Sequence, residues 1–249
     1  MTKKNTILQL IQCIDLTTLA DTDNHASVMK LVHKANAGFQ GINPAAVCVF
    51  SNFGNDVRAA LNPSMKTAVV GSCFPSGQTL SAAKIHEAQL IAQTNIDELD
   101  IVINRGDALA KNDDTIFEEI SKIRSAIGSK NLKVILETGD LKTEERIKTM
   151  AKISIDAGAD FIKTSTGKTA TGASFEAVKW MCEVIRDHHQ ETGKKIGIKP
   201  SGGIRTYQDA IAYFDIVGDI LGSDWQNPNL FRIGASSLYD ALIEAYKTA

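Results

Sequence analysis

The chain has 249 residues, 43% of them hydrophobic and 22% charged, with a formal net charge of -2 at pH 7. That is ample apolar material for a large core, and the near-neutral balance excludes a general basic field for nucleic acid or an anionic membrane, so any anion must be held locally. No apolar run approaches the eighteen or so residues of a membrane span, and Met1 to Asn5 lacks the apolar core of a signal peptide, which makes the cytoplasm the expected compartment.

Residues 4–14 have the pattern of a leading helix that runs into a first strand around Cys13 to Leu16. Val28, Leu31, Val32 and Ala35 then recur at helical spacing, with Gly38 as the stop. Ala45 to Phe50 reads as a strand and Asn55 to Leu61 as a short helix; Lys66 to Cys73 is the third strand and Thr79 to Gln93 the next helix, with Ile85, Leu90 and Ile91. Asp97 to Ile103 is the fourth strand, followed by a helix whose stripe is Ile116, Ile120, Ile123 and Ile127, ended at Gly128.

Lys133 to Glu137 is the fifth strand, and Thr143 caps a helix with Glu144 and Glu145 in its first turn, where the positive helix end favours them. Phe161 to Thr164 is the sixth strand, and Ser174 precedes a helix carrying Phe175, Val178, Met181, Cys182 and Ile185 and ended by His188, His189 and Gly193. Ile196 to Lys199 is the seventh, with Thr206 and Asp209 as a capping box for the following helix. Phe231 to Gly234 is the eighth, and Ser237 with Asp240 opens the last helix. Eight strand–helix units without a low-complexity linker, and without G-x-G-x-x-G after the first strand, predict one (β/α)8 barrel over residues 1–249 rather than a doubly wound sheet.

Three of these strands carry ionisable groups that need an explanation. Lys163 lies inside Phe161-Ile162-Lys163-Thr164-Ser165, Lys199 ends Lys195-Ile196-Gly197-Ile198-Lys199, and Asp100 interrupts Ile96-Asp97-Glu98-Leu99-Asp100-Ile101-Val102-Ile103. A strand lysine ordinarily sits at an edge or reaches water with its head, but burial costs free energy unless the charge is paired or lost. In a barrel, functional groups gather at the carboxyl ends of the strands, where strand alternation puts Lys163 with Phe161 and Ser165, Lys199 with Gly197, and Asp100 with Glu98 and Val102. If those faces point inward, two lysines share one apolar cavity, one of them is neutral and nucleophilic, and Asp100 serves proton transfer. Gly197 beneath Lys199 would leave space or serve packing. The trio suggests imine chemistry.

Ser201-Gly202-Gly203-Ile204-Arg205 and Gly234-Ala235-Ser236-Ser237 each follow a strand and open a helix, as a phosphate cradle does, and Gly167-Lys168 could add N–H groups and a cation. Tight βα turns are the plainer explanation of the same glycines. His25, His33, His86, His188 and His189 all fall on predicted helices, and Cys13, Cys48, Cys73 and Cys182 lack paired spacing, so no metal site is expected and the cysteines are read as free thiols.

These stretches, with Cys13-Ile14-Asp15-Leu16-Thr17-Thr18-Leu19, Glu137-Thr138-Gly139 and Gly158-Ala159-Asp160, closely resemble the deoxyribose-phosphate aldolase family from about residue 10 to the last helix. The resemblance implies a class I aldolase without metal or cofactor, which reversibly cleaves 2-deoxy-D-ribose 5-phosphate to glyceraldehyde 3-phosphate and acetaldehyde. It implies that Lys163 forms the imine, Lys199 perturbs it, and Asp100 is the general acid and base through water. Gly167, Lys168, Gly202, Gly203, Arg205, Gly234, Ser236 and Ser237 would surround the phosphate, with Asp15, Thr17 and Cys48 near the substrate. A homodimer is a further expectation of the likeness. Some members extend past the final helix to a terminal tyrosine that assists proton transfer; this chain ends Tyr246-Lys247-Thr248-Ala249, and that role is not carried to Tyr246, which is expected to be helical. A lysine-imine barrel aldolase with another carbonyl donor, and a non-catalytic phosphosugar-binding barrel, remain the alternatives.

Overall fold

The structure, a computed structural model, describes residues 2–249. α1 (Lys3–Gln12) leads into β1 (Ile14–Thr17), α2 (His25–Ala37), β2 (Ala46–Phe50), α3 (Gly54–Ala60), β3 (Lys66–Val70), α4 (Ser81–Ala92) and β4 (Glu98–Val102). Then follow α5 (Arg105–Ala110), α6 (Asp113–Ile127), β5 (Asn131–Ile135), α7 (Thr138–Leu141), α8 (Glu144–Asp156) and β6 (Phe161–Lys163). The chain finishes with α9 (Phe175–Thr192), β7 (Gly197–Lys199), α10 (Tyr207–Leu221), β8 (Ile233–Ala235) and α11 (Leu238–Lys247). The expected alternation holds, with two additions: α5 and α7 are short helical turns in the loops above β4 and β5, too brief to leave a periodic apolar stripe.

The eight strands form one parallel sheet in the order β7-β6-β5-β4-β3-β2-β1-β8. Closure between β7 and β8 is made by separate backbone bonds rather than a ladder: Ile198 N–H donates to Leu230 O (2.9 Å), Arg232 N–H to Ile198 O (3.0 Å) and Gly234 N–H to Pro200 O (3.0 Å). Strand alternation then decides where the apolar mass goes. Leu16, Val47, Val49, Val69, Leu99, Leu132, Val134, Ile162 and Ile198 face outward into one continuous core beneath the helices, which supply Val28, Val32, Ile116, Ile120, Ile123, Met181, Cys182 and Ile185. A smaller apolar cluster, Ala46, Cys48, Ala68 and Val70 with Leu19, Phe50 and Phe74, lines the inside of the barrel on the β2–β3 side.

The helix signals behave as their chemistry requires. Thr143 accepts from Arg146 N–H, Ser174 accepts from Ala177 N–H, and Thr206 with Asp209 forms the expected capping box. Ser237 does not cap α11: its backbone is already helical (φ -93°, ψ -18°) and its side chain makes no capping bond, which leaves it turned to the mouth of the barrel. Leu90 and Phe175, expected in apolar stripes, are instead exposed on α4 and α9. Tyr246 lies within α11 and packs edge-on against Phe39, with ring centroids 5.2 Å apart. α1 buries Ile7, Leu10 and Ile11 beside α10 and α11. Among the described residues, no helix is long and apolar enough to cross a membrane.

Gly197 is a packing position and not an empty space under Lys199. A Cβ built there would lie 2.2–2.5 Å from three ring atoms of Phe161, the neighbouring inward residue on β6. Gly197→Ala should therefore cost about 1–3 kcal/mol in urea denaturation, the usual range for overpacking a core, and the cost should shrink in a Phe161→Leu background. An equal cost in both backgrounds would show that the ring is not what this glycine accommodates.

Candidate active site

The inward positions at the centre of the barrel carry charge. Asp15 comes from β1, Glu98 and Asp100 from β4, Lys133 from β5, Lys163 from β6, Lys199 from β7 and Arg232 from the residue before β8. The ladder fixes their levels: Asp100 pairs with Lys133, and Lys163 with Lys199. All seven are buried, Lys163 at 3% exposure and Lys199 and Lys133 at 0%. Asp100 is the hub. Its Oδ2 accepts from Lys163 Nζ at 2.9 Å and Lys199 Nζ at 2.8 Å, and its Oδ1 accepts from Lys133 Nζ at 2.9 Å.

A second tier holds the first. Lys199 Nζ lies 2.5 Å from Asp15 Oδ2, an ion contact rather than an aligned hydrogen bond, and Lys133 Nζ lies 2.5 Å from Glu98 Oε2. Arg232 donates to Asp15 Oδ1 (2.6 Å) and to Glu98 Oε1 (3.0 Å), and its guanidinium stands 5.7 Å from the Phe161 ring centre. The interior is thus an ion lattice rather than the apolar cavity expected around two lysines. Four basic groups meet three carboxylates, Asp15, Glu98 and Asp100. Charge balances only if one amine is neutral.

The surroundings of each amine decide which. Burial lowers the Lys163 amine below its ordinary value and neighbouring Lys199 adds repulsion, against the opposing pull of Asp100. Burial acts on Lys199 in the same sense, but Asp100 and Asp15 together outweigh it and hold this ammonium above its ordinary value. Lys133 is likewise raised by Asp100, Glu98 and Asp15 despite its burial. Burial would raise Asp100, yet Lys133, Lys163 and Lys199 hold it well below the usual carboxylate range. Asp15 is lowered by Lys199, Arg232 and Lys133 over the effect of burial. Burial pushes the Cys48 thiol up, only partly countered by Lys199.

Above this lattice opens a cavity of about 470 Å³. All eight residues expected around a phosphate, Gly167, Lys168, Gly202, Gly203, Arg205, Gly234, Ser236 and Ser237, line it. Lys163 also lines it; Lys199 and Lys133 do not. Gly202 and Gly203 have consecutive positive φ angles of +85° and +84°, which a side chain would strain, and a Cβ on Gly234 would meet Lys199 Cε at 3.1 Å. Among the described residues, the amides of Gly203, Ser236 and Ser237 have no backbone acceptor, so they are available to an anion. The Lys168 amide is engaged with Thr166 Oγ1 (3.1 Å), so this residue offers its ammonium, now 3.0 Å from Asp21 Oδ1.

Of the remaining expected residues, Asp15 sits beneath Lys199, Thr17 lines the cavity with its hydroxyl turned to Asp15 O (2.7 Å), and Cys48 is buried in the inner apolar cluster. Lys133 and Arg232 are absent from the residues expected at the site, and Glu98 and Glu137 are expected only as a face-mate of Asp100 and as part of a motif, without a role. Lys133 opens the strand predicted from sequence and Arg232 is second in its own, where a basic residue ordinarily marks the surface, although Lys133 lies mid-strand in β5 and Arg232 just before β8. For Arg232, its parity with Gly234 is the signal that could have found it. The five histidines lie on α2, α4 and α9, and the four cysteines are free thiols.

A family model described as DeoC/LacD family aldolase matches residues 9–241. Deoxyribose-phosphate aldolase of Homo sapiens is 38% identical over 247 residues, spanning 93% of this chain and 78% of the human one. The Mus musculus protein of the same name is also 38% identical over 247 residues, with the same coverage of 93% and 78%. Among solved structures, the aldolase QR15 superposes with a TM-score of 0.77 at 30% identity, covering 96% of each chain.

The ion lattice predicts how Lys163 titrates. Removing the Lys199 charge leaves Asp100 to favour protonated Lys163 without that repulsion, so Lys199→Met should raise the Lys163 pKa and move the midpoint of its modification by methyl acetimidate to higher pH. A midpoint that stays or falls would refute the repulsion assigned to Lys199. Arg232→Met, which takes one buried cationic partner from each of Asp15 and Glu98, should cost about 3–5 kcal/mol in chemical denaturation, as for other broken buried pairs.

Proposed function

The chain belongs to the DeoC/LacD family of aldolases, and from that premise we propose that it reversibly cleaves 2-deoxy-D-ribose 5-phosphate to D-glyceraldehyde 3-phosphate and acetaldehyde through an imine on Lys163. One observation carries the reading. Of the three lysines in the barrel's ion lattice, Lys163 is the one that borders the cavity and the one whose amine is held below its ordinary value, while the glycine loops rim the same cavity.

The chemistry follows from those positions. Neutral Lys163 attacks C1 of the open-chain sugar; a proton delivered through water to the carbinolamine hydroxyl lets it leave as water and gives a protonated imine, the electron sink. A base takes the C3 hydroxyl proton, the C2–C3 bond breaks, its electron pair passes into the enamine, and glyceraldehyde 3-phosphate departs. Protonation of the enamine carbon and hydrolysis then release acetaldehyde and restore the amine. Asp100 touches both Lys163 and Lys199, so in this reading it passes protons through water while Lys199 stays cationic and keeps Lys163 neutral. Gly203, Ser236 and Ser237 amides with Lys168 and Arg205 hold the phosphate and so fix C1 against Lys163. Asp15, Thr17 and Cys48 support the amines and the wall beside them.

The whole chain acts as one catalytic unit in this reading, with free thiols suited to the reducing cytoplasm. A homodimer is part of it.

Borohydride reduction in the presence of acetaldehyde should leave an ethyl adduct on Lys163, located by peptide mass spectrometry and absent without the aldehyde. Lys163→Leu should lower turnover by at least about 10⁴-fold while inorganic phosphate still binds. An adduct elsewhere, or turnover without any adduct, would overturn the assignment.

A further inference from the structure

Glu137 is a buried carboxylate that the proposed chemistry does not use. It lies two residues beyond β5, at 0% exposure, with a left-handed backbone (φ +54°, ψ +61°) that is uncommon outside glycine. Its partners are neutral donors from a single loop. Thr166 Oγ1–H reaches Oε2 at 2.5 Å, Thr166 N–H reaches Oε1 at 3.3 Å, and Thr169 Oγ1–H reaches Oε1 at 3.2 Å. Burying a carboxylate against uncharged donors is costly, but bonds to an ionised acceptor are shorter and about twice as strong as neutral ones.

What those bonds hold is the segment after Lys163 that carries Gly167 and Lys168. Thr166 Oγ1 donates to Glu137 and itself accepts from Lys168 N–H at 3.1 Å, so a two-step chain runs from the carboxylate to the backbone of the cavity wall. The same corner is pinned at its neighbours: Thr138 N–H donates to Thr164 O (2.9 Å), and a Cβ on Gly139 would come within 2.7 Å of Thr171. Thr166, Gly167 and Lys168 line the cavity; Glu137 does not.

We infer that Glu137 is a positioning residue that sets the Thr166–Lys168 wall for the phosphate end of the substrate, and so determines the preference for a phosphorylated sugar over its unphosphorylated counterpart. The inference rests on the proposed sugar-phosphate cleavage. Glu137 acts only through the anion wall, so its loss weakens a contact that 2-deoxyribose never makes.

The test compares kcat and KM of the full chain for 2-deoxyribose 5-phosphate and 2-deoxyribose. Glu137→Gln should raise KM for the phosphate ester about tenfold with little change in kcat, raise the inhibition constant of inorganic phosphate in parallel, and leave kcat/KM for 2-deoxyribose within about twofold. Equal losses on both substrates would mean that the residue supports the fold or the Lys163 strand, and no loss on either would mean that the wall stands without it; each overturns the inference. If Glu137→Gln does not fold, Thr169→Val removes one donor to the same carboxylate from outside the cavity and should raise KM for the ester about threefold by the same criterion. Failure of the wild-type chain to cleave either sugar would instead count against the parent reading.

Discussion

Everything at the centre of this molecule depends on one carboxylate shared by three amines. Asp100 is out of contact with water and accepts from Lys133, Lys163 and Lys199 at 2.8–2.9 Å. In a dry interior such contacts are strong but each charge has lost its hydration, so the arrangement persists only where every partner is itself partnered. Asp15, Glu98 and Arg232 supply that second set of partners, and the register of the ladder places them. The barrel therefore holds one amine, that of Lys163, in a fixed position with its pKa below the ordinary value. Its asymmetry is the useful part: two amines are surplus-stabilised as cations, and the third is not.

The cavity above this lattice is asymmetric in a second way. Towards β6, β7 and β8 it has amides, glycines and cations; on the other side its lining is Leu19 and Ala20, and Leu19 packs on the inner apolar cluster of Ala46, Cys48, Ala68 and Val70. A ligand with one anionic and one apolar end has a single favourable orientation there. Orientation of this kind is worth much of a reaction's barrier when the reacting atoms are brought to a near-attack distance, and fixed dipoles and charges do further work because they need not reorganise. A non-catalytic sugar-phosphate receptor would use the loops but has no need of an amine held against its own protonation.

The alternation of strands and helices, the cap at Thr143, the capping box at Thr206 and the inward parity of Lys163, Lys199 and Asp100 were legible because each rests on local spacing. Lys133 and Arg232 were not, since a basic residue at or next to the start of a predicted strand carries no mark of whether the barrel will enclose it. Ser237 misled in a related way: its sequence suits a helix cap, but closure of the barrel turns it to the mouth. Gly197 allowed two explanations, and only the position of the Phe161 ring across the sheet separates them. Glu137 stood out as part of a motif, but its tie to Thr166 crosses from one loop to another, a relation that no one-dimensional pattern contains.

The closure between β7 and β8 rests on a few separate backbone bonds, around Ile198, Pro200, Arg232 and Gly234. That seam is also where the two glycine loops stand side by side, one after each strand. A phosphate gripped by both loops, as proposed, would act as a clasp across the least-zipped join of the cylinder. Occupancy and integrity become linked quantities: ligand at a hundred times its dissociation constant adds about 2.7 kcal/mol to the folded state by mass action, delivered where the sheet has least to hold it shut. An enzyme of this form is sturdiest while it is working.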